Sequence, residues 1–200
     1  MHTIYLVRHA HSPYTPDEWG RPLSENGFED AKRVADFLDT VHVDRFISSP
    51  YKRAIQTIEE AARRKKLPIK TEDAFKERVL AATSMPHFDS AIKAVWEDET
   101  FAHLGGESNK TARRRAVNGL WRILDQGNDS ESIVISTHGN ILALLLGYFH
   151  SRYDFTFWQQ LEMPDVYQIL IEKQTMLSCT NVWGEKIKLV NKPSYMYNYK

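Results

Sequence analysis

The sequence is short of the features that divide, anchor or staple a chain. A single cysteine, Cys179, among 200 residues excludes an intramolecular disulfide framework and any all-cysteine zinc site, and it suits a reducing compartment, so a cytoplasmic protein is expected. No apolar run approaches the roughly 20 residues of a membrane-spanning helix. The longest candidate, Ile141 to Phe149, is too short. The amino terminus has no basic stretch leading into an apolar run, so no leader is expected. Charge of one sign is lacking as well: 26 Lys and Arg balance 26 Asp and Glu, so nothing draws the whole molecule to nucleic acid or to a membrane. Any anion binding has to be local. Internal repeats, low-complexity tracts and Gly/Ser linkers are also missing, which leaves residues 1–200 as one expected domain.

What is present is an alternation of strand and helix signals. Thr3 to Val7 is β-rich and apolar without alternation, the pattern of a strand buried on both faces. Pro13, Pro16 and Pro22 mark the loop after it. Ser24 is placed to cap a helix whose stripe is Phe28, Ala31, Val34, Ala35 and Leu38. Arg45 to Ser48 reads as a second strand, and Pro50 precedes a helix buried through Ala54, Ile58 and Ala61. Leu67 to Lys70 is a third strand candidate. Residues 81–104 have weak periodicity, with Met85, Phe88, Trp96 and Phe101 scattered through them, and read as an irregular insertion over the active site with some helix. A helix from about Ser108 to Asp125, a strand at Ile133 to Ser136 and an apolar helix at Asn140 to Phe149 follow. Val166 to Glu172 and Lys186 to Val190 look like later strands. The order predicts a three-layer α/β/α sandwich around a mainly parallel sheet.

In an open α/β sheet the carboxyl ends of parallel strands share one edge, and ligands bind there. The first strand ends in Arg8-His9, the second in Ser48-Ser49 before a helix carrying Arg53, and the Ile133 strand in Thr137-His138-Gly139. Two histidines and two arginines are thus predicted to converge. A guanidinium fork matches phosphate oxygens, and helix amino termini aim N–H groups at an anion, so a phosphate pocket is the natural reading. Each motif alone is weak; their arrival together from three strand ends carries the weight.

The blocks LVRHAHS (Leu6 to Ser12), PLSENG (Pro22 to Gly27), SSPYKRAIQT (Ser48 to Thr57), GGES (Gly105 to Ser108) and THG (Thr137 to Gly139), in that order, resemble the histidine phosphatase superfamily, also called the phosphoglycerate mutase-like family. The resemblance implies a phosphatase that hydrolyses a phosphomonoester through a phosphohistidine on His9, with no metal or cofactor. It implies that Arg8, Arg53 and His138 bind the phosphoryl oxygens, and that Glu77 serves as general acid and base. Thr15, Glu107, Gly139 and Asn140 are further substrate-binding candidates, Glu107 alternatively as a cap of the following helix. This chain departs from the family pattern at Ala10, where glycine is commonest, and at Thr15, where many members carry asparagine. It also lacks the Gly-Trp-Glu segment usual after the acid. Asn140 also occurs in the mutases, so phosphoglycerate mutase is one alternative. An inactive module that only binds a phosphorylated ligand is another. The expected partner is a small phosphorylated substrate, with oligomeric state left open.

Other signals point to duller roles. His9 and His11 form an H-x-H pair, but no clustered carboxylates accompany them and Arg8 repels a cation. Arg63 to Lys66 reads as a solvated helix end, and Arg113 to Arg115 as side chains that pack or pair locally.

Overall fold

The computed structural model describes residues 1–186. Strand and helix alternate as β1 (His2–Arg8), α1 (Glu25–Asp39), β2 (Arg45–Ser48), α2 (Lys52–Lys65) and β3 (Ile69–Thr71), and a 3-10 turn follows at Asp73–Phe75. Then come α3 (Phe88–Glu97), α4 (Asn109–Asp125), β4 (Ser132–Thr137), α5 (Gly139–Phe149) and α6 (Phe155–Gln160). The described chain ends in β5 (Asp165–Glu172), β6 (Thr175–Asn181) and a short α7 (Trp183–Lys186). All six strands form one sheet in the order β3-β2-β4-β1-β5-β6. The first four in that order run parallel, and β5 and β6 continue it antiparallel.

The apolar run of β1 reflects its central position. Ile4 and Leu6 join Ile133, Ile135 and Ile169 in a cluster with Ala116 and Leu120 of α4 and Ile141 to Leu146 of α5. Tyr5 and Val7 point the other way, with Phe46 and Val134, onto Val34 and Leu38 of α1 and Ile58 and Ala61 of α2. A strand covered on both faces carries apolar residues at every position, and this produces the three layers. Each fully buried large aliphatic side chain contributes roughly 1.5–3 kcal/mol.

Local signals place the helices. The Ser24 hydroxyl accepts from the Gly27 N–H at 3.0 Å and caps α1. Gly27 itself is buried, and a Cβ there would come within 2.2 Å of the His11 carbonyl oxygen. Gly27 faces inward with the expected Ala31, Val34, Ala35 and Leu38, while Phe28, also expected inside, is 42% exposed. The basic run after Glu60 ends α2 as expected, with Lys66 in the left-handed region at φ 57°. Arg64 reaches Asp36 and Asp39 of α1 as well as Glu60, an exposed network of modest worth.

The third strand lies at Ile69–Thr71 instead of Leu67 to Lys70. The helix expected within residues 81–104 is α3, whose Ala91, Ile92 and Val95 are buried. Strand β6 gave little signal: it is an edge strand, largely exposed, and its hairpin turn uses Lys173 at φ 45° and Gln174 at φ 64°. Two positive φ values normally advertise themselves through Asn or Gly, and here they do not. Of the strand expected at Lys186 to Val190, Lys186 closes α7, and the rest lies outside the described residues.

Candidate active site

The sheet delivers the two histidines to one edge. Arg8 lies in register with Thr137 and Ser48 with Ser136, so His9, His138 and Ser49 leave the sheet side by side. The ladder continues one residue further, with His9 N donating to Thr137 O at 3.0 Å and Ser49 N to Ser136 O at 2.8 Å. Both imidazoles are buried, and their centroids are 5.1 Å apart.

The neighbours of His9 fix its tautomer. Nδ1 is 2.7 Å from the Ala10 carbonyl oxygen, which can only accept, so Nδ1 carries the proton. Arg53 Nε, which can only donate, points at His9 Nε2 from 3.2 Å, so Nε2 presents a lone pair. Burial, reinforced by the Arg53 charge, holds the His9 pKa well below the ordinary histidine value, against the Ala10 bond. His138 is lowered in the same way, by burial first and then by His9 and Arg53. Its Nε2 meets the Ser49 hydroxyl at 2.7 Å, while its buried Nδ1 has no protein partner.

These shifts set a pH dependence of stability. With the folded pKa lowered, the unfolded chain takes up protons first as pH falls through about 6.5, so stability drops there by up to about 1.4 kcal/mol per pH unit per histidine. Between pH 7.5 and 5.5 the pair is expected to remove about 2–3 kcal/mol of unfolding free energy, read from urea midpoints. A His9→Asn, His138→Gln double variant should lose most of that dependence. An equal dependence in the variant would place its origin in other groups.

Arginines surround the pair. Arg53, 1% exposed, donates through Nη1 to the Glu18 carbonyl at 2.6 Å and through Nη2 to the Glu18 carboxylate at 3.1 Å. Its guanidinium lies over the Tyr51 ring at 4.8 Å, and that ring meets His138 edge-on at 4.9 Å. Arg8 Nη1 donates to the Leu161 carbonyl at 2.7 Å. Gly139, opening α5, leaves room for it: a Cβ there would stand 3.2 Å from the Arg8 guanidinium carbon. Arg21 bonds the Ser12 carbonyl at 2.9 Å, and its charge is felt at both histidines. The Thr57 hydroxyl ties the loop to α2, accepting from Ala10 N at 3.0 Å and donating to Arg53 O at 2.7 Å.

Glu77 follows the 3-10 turn after β3, on the Asn140 side. One carboxylate oxygen accepts from Arg78 N at 2.8 Å, and the other from Asn140 N at 3.2 Å and Asn140 Nδ2 at 3.4 Å. Asn140 stands two residues after His138, so these bonds hold Glu77 at the same edge of the sheet. Glu107 is forked onto Arg115 at 3.0 and 2.6 Å, while Arg115 also holds the Ala74 and Lys76 carbonyls just before Glu77. Ser108 caps α4 instead, accepting from Thr111 N at 3.2 Å. Thr15 bonds within its own loop, to the Asp17 carbonyl at 3.4 Å.

The structure therefore brings together His9, His138, Arg8, Arg53, Glu77, Gly139 and Asn140. Thr15 is engaged within its own loop, and Glu107 with Arg115. Sequence reasoning passed over Arg78, which is 4% exposed, with Nε and Nη1 lacking protein partners; its adjacency to Glu77 was the available signal. It also passed over Glu18, which carries no motif, and Tyr51, which lies unremarked inside the SSPYKRAIQT block; both hold Arg53. His11 is engaged with Ser24 at 2.8 Å, and among the described residues no group of three or more His, Cys, Asp or Glu is arranged to hold a metal.

Comparison with known proteins gives the family. A curated relative, phosphoserine phosphatase 1 of Hydrogenobacter thermophilus, is 30% identical over 153 residues, covering 69% of this chain and 71% of its own length. Among solved structures, mycobacterial glucosyl-3-phosphoglycerate phosphatase with inorganic phosphate superposes with a TM-score of 0.72 at 20% identity, covering 90% of this chain and 94% of its own. Phosphoserine phosphatase of Entamoeba histolytica gives 0.73 at 18% identity, covering 90% and 96%. At such identities the structural matches show the shared fold. The family model of the histidine phosphatase superfamily, branch 1, matches residues 4–175, and the chain belongs to that superfamily.

Proposed function

We propose that this protein hydrolyses a small phosphomonoester through a phosphohistidine on His9, and that the substrate bears a second negative charge near its leaving oxygen. The observation that carries the first part is the fixed tautomer of His9, whose Nε2 lone pair faces an arginine-lined pocket. A nucleophilic imidazole needs that lone pair, and an approaching phosphoryl oxygen takes over the Arg53 N–H now bonded to it. Arg8, Arg53 and His138, the last through its unpartnered Nδ1, take the phosphoryl oxygens. Glu77 gives a proton to the leaving oxygen and later takes one from water. Thr15 and Glu107 have supporting roles in loop and segment geometry. Residues 1–200 act as one unit, with 81–104 over the leaving-group side. The half-buried Cys179, its thiol pKa raised by burial, suits a cytoplasmic setting.

The substrate class rests on Arg78. A buried guanidinium with two unpartnered nitrogens beside the acid suits a carboxylate or second phosphate on the leaving group. The three relatives are named for phosphoserine or for a glucosyl phosphoglycerate, both carboxylates, in keeping with this. The test compares O-phosphoserine and 3-phosphoglycerate with phosphoethanolamine, scoring free phosphate and 2-phosphoglycerate. The acidic substrates are expected to show kcat/KM at least about 10-fold higher, as one charge-assisted contact supplies, and Arg78→Met should erase the preference. A preference that survives in Arg78→Met would remove Arg78 from recognition, and 2-phosphoglycerate in excess of phosphate would make the protein a mutase.

A further inference from the structure

The segment expected to be an irregular insertion with some helix reaches the catalytic edge through Trp96. Trp96, near the end of α3, directs its indole N–H at Asn140 Oδ1 from 3.3 Å. Arg78 Nη2 approaches the same oxygen at 3.4 Å. Indole and guanidinium nitrogens only donate, so the amide atom facing them has to be the oxygen, and the rotation of the Asn140 side chain is decided. The amide nitrogen is thereby turned to the other side, where it lies 3.4 Å from the Glu77 carboxylate. Had the amide been free to flip, it would present its oxygen to that carboxylate and repel it.

Trp96 is itself held by aromatic neighbours. Its ring lies 6.0 Å from Phe155 and 6.3 Å from Trp158, and those two stack on each other at 5.6 Å with 16° between planes. Both belong to α6, whose Asp154 cap accepts from Phe157 N. An aromatic cluster of this kind fixes an indole more firmly than a flexible polar chain would, since only two torsions have to be frozen.

Taking Glu77 as the acid, as proposed above, we infer that Trp96 is a positioning residue for it. Trp96 acts through Asn140: its N–H selects the amide orientation that keeps the Glu77 carboxylate aimed at the leaving oxygen. The α3 segment and α6 thereby join the chemistry of the leaving group without touching the phosphoryl group. Proton transfer demands hydrogen-bond alignment of the acid, so a loosened Glu77 slows the reactions that need protonation and spares those that do not.

The experiment is Trp96→Phe, which keeps the ring in the cluster and removes only the N–H. For an alkyl phosphate kcat/KM, which reports phosphoryl transfer to His9, is expected to fall about 3- to 10-fold, the worth of one neutral hydrogen bond, with a loss on p-nitrophenyl phosphate at least about threefold smaller. The dependence of kcat/KM on leaving-group basicity should steepen accordingly. In the Glu77→Gln background the same substitution should add no further selective loss, because its partner in the network is gone. Equal losses on both substrates, or a selective loss that persists in Glu77→Gln, would overturn the inference and leave Trp96 a packing residue. If Glu77→Gln alone lowers kcat/KM for both substrates equally, the acid reading fails instead, and a selective Trp96→Phe effect would then belong to another acid. Circular dichroism and thermal unfolding of Trp96→Phe distinguish misfolding, which would depress both substrates together and count against the inference.

Discussion

Replacing His9 with alanine is expected to lower turnover of every accepted phosphomonoester by about 10⁴-fold or more, the scale on which removal of a covalent nucleophile acts. Rapid quenching of the native protein during turnover of a labelled substrate should trap label that is stable to alkali and labile to acid, on the peptide containing His9. The geometry supports both halves of this expectation. Nδ1 is committed to the Ala10 carbonyl, so only Nε2 is free to attack, and the lowered pKa keeps that nitrogen unprotonated below the pH at which a free histidine charges. His138→Ala should leave the site chemically present but fill it slowly, because it removes an oxyanion donor and leaves the nucleophile. Combining the two substitutions should be scarcely worse than His9→Ala alone, since groups that act on one step are not additive. Label on a serine or aspartate, or turnover by His9→Ala within tenfold of the native rate, would show that the reaction runs through another group.

Much of this site was legible in the sequence because the parallel sheet makes it so. A strand buried on both faces announces its end where apolar residues stop, and three such ends, at Arg8, Ser48 and Thr137, named the residues that now face one another. What was not legible depends on packing across elements distant in sequence. That Arg53 is held by Glu18, 35 residues earlier, and that Arg115 braces the Ala74 and Lys76 carbonyls follow from no periodicity. The same holds for Trp96, whose ring looked like one aromatic among many until α3 set it against Asn140 and α6. Strand β6 was missed for a different reason: its turn residues Lys173 and Gln174 adopt positive φ without the side chains that usually signal it. Phe28 lies outside the core because the first turn of α1 presses Gly27 against the His11 carbonyl, which leaves the next position at the edge of the buried stripe.

Glu77→Gln is the second substitution expected to have a large effect, and its value lies in where the effect falls. Glutamine keeps the size of the side chain, and its one carbonyl oxygen can still accept from Asn140 N and Asn140 Nδ2, so only the bond from the Arg78 N–H is given up and the fold around the 3-10 turn should be retained. It cannot cycle a proton. An alkoxide is a poor leaving group and has to be protonated as the P–O bond breaks, whereas p-nitrophenolate departs unaided. The alkyl substrate is therefore expected to slow by about 100-fold or more and p-nitrophenyl phosphate by less than about tenfold in phosphoryl transfer to His9. The second half-reaction sharpens the test, because hydrolysis of the phosphohistidine needs Glu77 as base whatever the leaving group was. With p-nitrophenyl phosphate the variant should thus give a burst of p-nitrophenolate, one equivalent per site, followed by slow turnover, and the labelled His9 adduct should accumulate to near stoichiometry. Equal loss on both substrates with no burst would take the proton-transfer role from Glu77. Glu107 would be a poor successor, since its carboxylate is committed to Arg115, and the search would pass to a carboxylate that reaches the pocket from residues 81–104.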